Sequence, residues 1–350
     1  MLSIAVKNMK NRVELPLLEP LYSTYQYQGP GSAVLVNNPS VRNWYFNEVM
    51  NLTCSRKFLA GYTTPEVTVV NTFWSSNPYL ENVPVPTQFI NRYINSTIQE
   101  MLNLGYYVPF DKVDDYYVKG KSWYRARHFS HDGIICGYDQ DEKTYCIYAY
   151  DSNWVYRKFW TPQRAFNKGR MAMEQQGIGF QMCGIKPYGG IVVDFSPKTA
   201  YDKLAKYLYS DLDIYPFDGE GNVYGIIVHE YVAEYLNQLY RNAIPYDRMD
   251  RRVFRMIWEH KKVMLERICM IEQHLSMNRD ISEQYKSIVA EADIMRMMYA
   301  SHQLRRRDSL LPIIKKKLLT LMRCEKELLT MLVEKMEKEL KNEVVDISSE

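Results

Sequence analysis

The 350-residue sequence contains no uncharged apolar run approaching about 18–20 residues, and that absence argues against a membrane-spanning helix. Its first residues, "MLSIAVKNMKNRVELPLL", lack the long apolar core and small-residue cleavage site of a secretory leader. A cytoplasmic location is the resulting expectation. No CxxC pair occurs among the six cysteines, which fits neither a disulfide framework nor a zinc site. Strong charge is missing as well. A formal net charge of +3 is near neutral and no nucleic-acid reading motif accompanies it, so no nucleic-acid partner is expected. There is no glycine-rich, phosphate-cradling loop, and no cofactor is implied. Neither an internal repeat nor a low-complexity linker interrupts the chain.

What is present is ordinary globular material, 46% hydrophobic and 24% charged, enough to build a sizeable core. Tyrosine is common at 29 residues, which suits strands and pockets but specifies no reaction. The character changes near residues 195–220. Before that point short apolar runs alternate with turn signals, and strands are predicted at 66–73, 133–139, 144–150 and 178–185, with a further segment at 190–195. Two helices are predicted among them, at about 41–56 and about 87–104, the second ending on Gly105 as a natural C-cap. After about 220 the apolar positions fall into helical steps. Phe254, Ile257, Met264, Ile268, Ile271 and Leu275 form one stripe. Asp280 with Glu283 reads as a capping box for a helix running to about 303. Asp308 reads as the N-cap of a last helix, with Leu318, Leu321, Leu328, Leu332 and Met336 along its stripe. The expected class is α+β: residues 1–200 as a mixed domain with an antiparallel sheet, and 201–350 as a helical region packed on it.

The stretch "HFSHDGIICGYDQDEKTYCIYAYD" (128–151) reads as a hairpin around the acidic loop 139–143. A register centred on Asp141 sets His131 opposite Asp151 and Cys136 opposite Cys146. Directly opposed Cβ atoms lie roughly 4.5–5.5 Å apart, close enough for a carboxylate to orient an imidazole. A single bulge would break this pairing. Alternation puts His131, Gly133, Ile135 and Gly137 on one face and Cys136 on the other, so Cys136 is not the nucleophile that His131 would activate. Gly133 and Gly137 leave room on the His131 face or serve tight packing. His128 and His131, three apart on a strand, point to opposite faces, and no metal site is expected.

"HDGIICGYD" resembles the H-x5-G-Y-D stretch of papain-like cysteine peptidase folds, especially the bacteriocin-leader peptidase type. "MLNLGYYVPF" (101–110) resembles the helix–Gly–strand passage before that histidine. The longer "GYYVPFDKVDDYYVKGKSWYRARHFSHDGIICGYD" is similar to proteins related to the butirosin-biosynthesis acyltransferase, and "DRRVFRMIWEHKKVMLERI" is similar to their helical tails. The main resemblance covers about residues 85–160. It implies a papain-like domain with a central helix and acyl transfer in natural-product biosynthesis. The donor would be a thioester, such as an acyl carrier protein, and the acceptor an amine. His131 would be the base and Asp151 its orienter, and a thioester donor needs no ATP.

That family places a cysteine at the N-terminus of its central helix, where the helix dipole lowers the thiol pKa. The helix opening at "SVRNWYFNEV" has none; Ser40 precedes it and reads as an N-cap. Cys54, placed near that helix's C-terminal end, is one candidate nucleophile, although a buried structural cysteine fits it too. If the helix begins earlier, within "YQYQGPGSAVLV", Ser32 follows Gln26 by six residues and Gln28 by four. Such folds carry an oxyanion-hole glutamine at about that distance, which makes Ser32 the alternative, whereas "GPGS" also reads as turn chemistry. Three readings stay open: an enzyme with a displaced nucleophile, an enzyme using His131 only as general base, and a former enzyme kept as a binding protein with its cleft filled by Trp44 or Tyr45. A peptidase-like hydrolase is a further alternative. The Met-rich face of Met295, Met297 and Met298, and the basic clusters Arg305–Arg307 and Lys315–Lys317, suit a partner, including an acidic carrier protein, or else simple packing and a solvated face. Apolar faces on the tail helices are suited to a homodimer.

Overall fold

The computed structural model describes residues 11–61, 64–70, 77–209 and 221–347. In chain order the first elements are β1 (Arg12–Glu14), α1 (Gln28–Val36), α2 (Pro39–Glu48), β2 (Leu52–Ser55), β3 (Thr68–Val69) and β4 (Leu80–Pro84). Then come α3 (Thr87–Asn103), β5 (Val108–Asp114), β6 (Ser130–Asp139), β7 (Thr144–Tyr150), β8 (Tyr156–Pro162), α4 (Gln163–Gln175) and β9 (Cys183–Pro187). The remainder is α5 (Pro197–Tyr209), the short β10 (Asn222–Tyr224), α6 (Val228–Tyr240), α7 (Val253–His274), α8 (Asp280–Arg305) and α9 (Leu310–Ile347). The class is mixed α/β, with a curled antiparallel sheet and a helical C-terminal region. Two compact units form, and neither is one continuous stretch. The first comprises Met1–Arg42 and Thr72–Val192, the second Asn43–Asn71 and Val193–Glu350.

The first unit is organised around β6. One edge of β6 pairs with β7, which pairs with β8; the other edge is shared end to end by β5 and β1. All these pairings are antiparallel. The 139–143 hairpin forms where the sequence places it, but the register shifts between Ile135 and Gly137. Ile135 faces Ile147, as an even register requires, whereas Cys146 faces Gly137 instead of Cys136. This bulge turns the strand by one position, so Ile135 and Tyr138 enter the same core. That core receives Ile90, Ile94, Ile98 and Leu102 from α3 at four-residue steps, Tyr145, Ile147 and Ala149 from β7, and Phe166 from α4. Gly133 and Gly137 serve packing and leave no free space. A Cβ on Gly133 would lie 2.8 Å from the Phe110 ring, and one on Gly137 2.5 Å from the Val13 carbonyl oxygen. β4 and β9 pair separately as a two-stranded ribbon.

Several predicted boundaries move. The helix read at 41–56 ends at Glu48, and the chain continues into β2, which carries Cys54. Asn38, not Ser40, caps α2: its side-chain oxygen accepts the Ser40 N–H at 3.0 Å, with Pro39 in the first helical position. A helix does form within "YQYQGPGSAVLV". Gly29 and Pro30 sit in the first turn of α1, where a missing N–H costs nothing. The strand read at 66–73 is β3 in its described part; residues 71–73 lie outside the described residues. Residues 191–195 are not in a strand, and the strand read at 178–185 is β9, shifted to Cys183–Pro187. α3 ends as predicted, with Gly105 left-handed at φ +84°.

In the second unit β2 is flanked by β10 and β3. Helices α7, α8 and α9 are joined by short connections and pack in sequence, which makes neighbours antiparallel. The α7 stripe from Phe254 to Leu275 is buried as predicted. The capping expected of Asp280 and Glu283 comes instead from α7: Glu272 Oε1 accepts the N–H groups of Ile281 and Ser282 at 2.9 and 3.0 Å. The buried Arg267 guanidinium donates to the Tyr45, Phe46 and Val49 carbonyls at 3.2, 2.8 and 2.6 Å, satisfying the end of α2. His260 Nε2 donates to the Met50 carbonyl at 2.8 Å.

Candidate functional site

β5 ends at Asp114 and the turn after it begins with Asp115, and each aspartate takes one histidine. Asp114 opens a short 3-10 turn at 115–117, its Oδ1 accepting the N–H groups of Tyr116 and Phe129, both at 3.1 Å. Its Oδ2 meets His128 Nδ1 at 2.6 Å, with the His128 ring stacked on Tyr116. Asp115 Oδ2 is hydrogen-bonded to His131 Nδ1. Asp115 is 1% exposed and His131 21%, so a sealed carboxylate holds an imidazole that still reaches solvent. With Nδ1–H donating to Asp115, the other ring nitrogen, Nε2, is the basic one. The Phe129 ring packs edge-on against the imidazole at 4.5 Å.

The orienting residue is therefore Asp115, and the expected His131–Asp151 pair does not form. The β6–β7 ladder stops at Ile134 and Tyr148, before the two residues could face each other. Asp151 is instead drawn into its own turn. Its Oδ1 accepts the N–H groups of Asn153 and Val155 at 2.8 and 2.9 Å, and its Oδ2 meets Arg157 Nε. Burial raises the Asp151 pKa, but those two N–H groups and the Arg157 charge outweigh it and hold the carboxyl below its usual range.

Neither candidate nucleophile joins His131. Cys54 is a buried residue of the second unit, on a strand rather than a helix end, and burial pushes its thiol pKa up to about 12. Ser32 lies in the middle of α1, fully buried, with its hydroxyl oxygen accepting the Leu21 N–H at 2.8 Å. Cys136 and Cys146 are buried neighbours, Sγ to Sγ 3.6 Å, with the Cys136 thiol pKa raised by its hydrogen bond to Cys146 and by burial. Among the described residues, the side-chain hydrogen-bond partner of His131 is Asp115 alone.

Beside the His131–Asp115 pair lies a second buried charge cluster. Lys121, 3% exposed, places Nζ 3.6 Å from Asp115 Oδ1 and 3.4 Å from Gln26 Oε1. Its pKa is lowered by burial, against the opposing pull of Asp115 and Asp132. Gln26 Nε2 donates to Asp132, reaching both its backbone carbonyl and, at 2.9 Å, its Oδ1. Burial raises the Asp132 pKa; its own backbone N–H, Lys121, His131 and Gln26 work the other way. Asp132 also lines a cleft of about 670 Å³ walled by Val85, Ile90, Phe110, Phe180 and Met182. That volume is in the range of small-molecule sites. Trp44 and Tyr45, expected to fill such a cleft in a binding relic, are buried residues of the second unit and are not part of this lining.

Sequence reading missed Asp115, Lys121 and Asp132. The available signal was "KVDDYYVKGK", two acids and three lysines a few residues ahead of the two histidines. Among the described residues no group of three or more His, Cys, Asp or Glu side chains could hold a metal ion, and no helix is long and apolar enough to cross a membrane. No protein-family model matches the chain, and a search of curated proteins finds no significant match.

Proposed function

We propose that this protein has a papain-like first unit and forms an amide by moving an acyl group from a thioester to an amine, with His131 as general base and Asp115 as its positioning residue. The observation that carries the reading is the His131–Asp115 pair, a buried carboxylate on an accessible imidazole. The amine nitrogen attacks the thioester carbonyl carbon and gives a proton to His131 Nε2. The tetrahedral species then collapses, the C–S bond breaks, and the thiolate leaves with that proton. Thioester plus amine becomes amide plus thiol, with nothing left over. Asp115 fixes the tautomer and stabilises the transient imidazolium. Positioned general-base catalysis of this kind is typically worth roughly 10²–10⁴-fold. Direct transfer is favoured over a covalent acyl-enzyme because Ser32 is buried with its hydroxyl bonded to the Leu21 N–H, and Cys54 is buried with its thiol pKa raised. This also ranks the peptidase-like reading last.

A carrier-protein donor would find exposed cations at Arg305–Arg307, whereas Lys315 is bonded to Asn237 and Lys317 paired with Glu291. The exposed apolar side chains Ile294, Met297 and Leu304 on α8 are the support for a homodimer.

A second reading, a catalytically silent binding protein, draws on Gln26: its amide nitrogen is committed to Asp132 and is not free to donate to an oxyanion. One experiment separates the two. Wild type and His131→Ala are incubated with a panel of acyl thioesters, with and without amines, and followed by intact-protein and product mass spectrometry. Amide without an acyl-protein adduct, lost in His131→Ala, is the expected result. An adduct would replace direct transfer with a covalent route, and no product from any pair would favour the binding protein.

A further inference from the structure

We propose that the cleft beside Asp132 is the acceptor subsite and that it takes the ammonium group of an apolar primary amine. As an acceptor site the assignment rests on the acyl-transfer reading; as a binding site it stands on its own geometry.

Three observations converge on a cation with an apolar body. The walls are more apolar than polar: Val85, Ile90, Phe110, Phe180 and Met182 line a cleft of about 670 Å³, with Asn82, Thr87 and Gln181 also on it, so the apolar part of a ligand gains by burial. The carboxylate on the lining has no cation of its own. Among the described residues Asp132 has no ion-pair partner, whereas the neighbouring Asp115, which is not on the lining, takes both Lys121 and His131. An arriving cation would complete the balance. Finally, Asp132 has acceptor capacity to spare. Its side chain receives Gln26 Nε2 at 2.9 Å and its own backbone N–H, while a carboxylate offers about four lone-pair sites. The other acid on the lining already has a cation beside it: Asp111 Oδ2 lies 3.5 Å from Lys112, and its Oδ1 accepts the Gln181 N–H at 2.7 Å. Gln26 has a purpose in this arrangement. It holds the Asp132 carboxylate in place.

An ammonium must lose a proton before its nitrogen can attack. Consecutive residues of β6 point to opposite faces, so the connection from Asp132 to His131 runs through Gln26, Lys121 and Asp115 and not along the strand.

The test is calorimetric titration of the full-length protein with hexylamine and phenethylamine, each against its isosteric alcohol. Charge-assisted hydrogen bonds to a carboxylate are worth roughly 1.5–3 kcal/mol, so the amines should bind about 10- to 150-fold more tightly than the alcohols. Asp132→Asn should remove that preference, bringing amine and alcohol affinities together. Equal binding of amines and alcohols by the wild type, or no amine binding, overturns the proposal without any variant. If Asp132→Asn does not fold, Met182→Trp, which fills the cleft from the apolar side, should weaken both ligand classes; unchanged affinity would place the amines elsewhere. Amine binding without amide formation would leave the subsite standing and remove the reaction. Amide formation with an unchanged amine KM in Asp132→Asn would do the reverse.

Discussion

Glu325 offers the most quantitative test of how the second unit is held together. It lies on the buried stripe of α9, between Leu321 and Leu329, and is fully buried. Lys261 Nζ donates to its two oxygens at 2.9 and 2.7 Å, Tyr207 donates at 3.2 Å, and the Tyr285 hydroxyl also donates to it. Burial raises the Glu325 pKa, but the Lys261 charge overrides it and keeps the carboxyl below its usual range. Glu325→Leu would leave the Lys261 ammonium buried without its counter-charge. Removing one partner of a buried ion pair typically costs about 3–5 kcal/mol. At roughly 2–4 °C per kcal/mol for a unit of this size, the Tm should fall by about 6–20 °C. Replacing both partners, as Lys261→Met with Glu325→Leu, should recover most of that loss, because neither half of the pair is then left as an unpaired buried charge. The assay is urea unfolding followed by far-UV circular dichroism for both variants, with the slope checked for constancy. A single variant costing under about 1 kcal/mol, or a double variant no better than the single, would refute the reasoning.

The same cluster predicts acid sensitivity. His229 is buried with its Nδ1–H donating to the Ile226 carbonyl at 2.7 Å; burial, aided by the Lys261 charge, lowers its pKa from 6.5 to about 4. The unfolded chain therefore takes up a proton below about pH 6.5 that the native state refuses. Stability is full above that pH and falls toward pH 4 by at most about 3 kcal/mol. His229→Gln should flatten the pH–stability curve; a parallel curve would count against the assignment. At the candidate site, Asp115→Asn should lower amide formation by roughly 10²–10⁴-fold, the full value of the base it positions, and shift the pH–rate profile. Asp151→Asn should cost stability and leave the rate within a few-fold. Equal losses of rate in the two variants would restore the hairpin partner. Iodoacetamide under native conditions should label the exposed Cys324 and spare Cys54, as peptide mapping would show.

The parts of the fold that were legible in the sequence are those that a single period describes. The 139–143 hairpin, α3 and the α7 stripe all follow from alternation or from three- and four-residue steps. The site was half legible. His131 stands out because it opens an apolar strand, but its partner depends on where a ladder stops, and alternation does not encode that. The residues "VMNLTCS" continue the apolar spacing of α2 with no glycine or proline to end it, so Cys54 was placed on a helix. What ends α2 is Arg267, more than two hundred residues later, through its bonds to the last carbonyls. Lys261 and Glu325 carried a usable signal: each is a charge at a core position of an apolar stripe, and a charge there needs a partner on another stripe.

The bonds from Arg267 to residues 45–49 also set an order of events during synthesis. Segment 43–71 leaves the ribosome early, with Phe46, Leu52, Phe58 and Val67 destined for a core whose other half is still untranslated. At about 5–20 residues per second, the arginine that closes α2 arrives on the order of 10–45 s later. Through that interval these side chains have no native neighbours from the C-terminal helices to cover them. Once Val192 has cleared the ribosome, the first unit's chain is presented in full together with an apolar strip awaiting its complement, and that is the window in which a holdase would find its client.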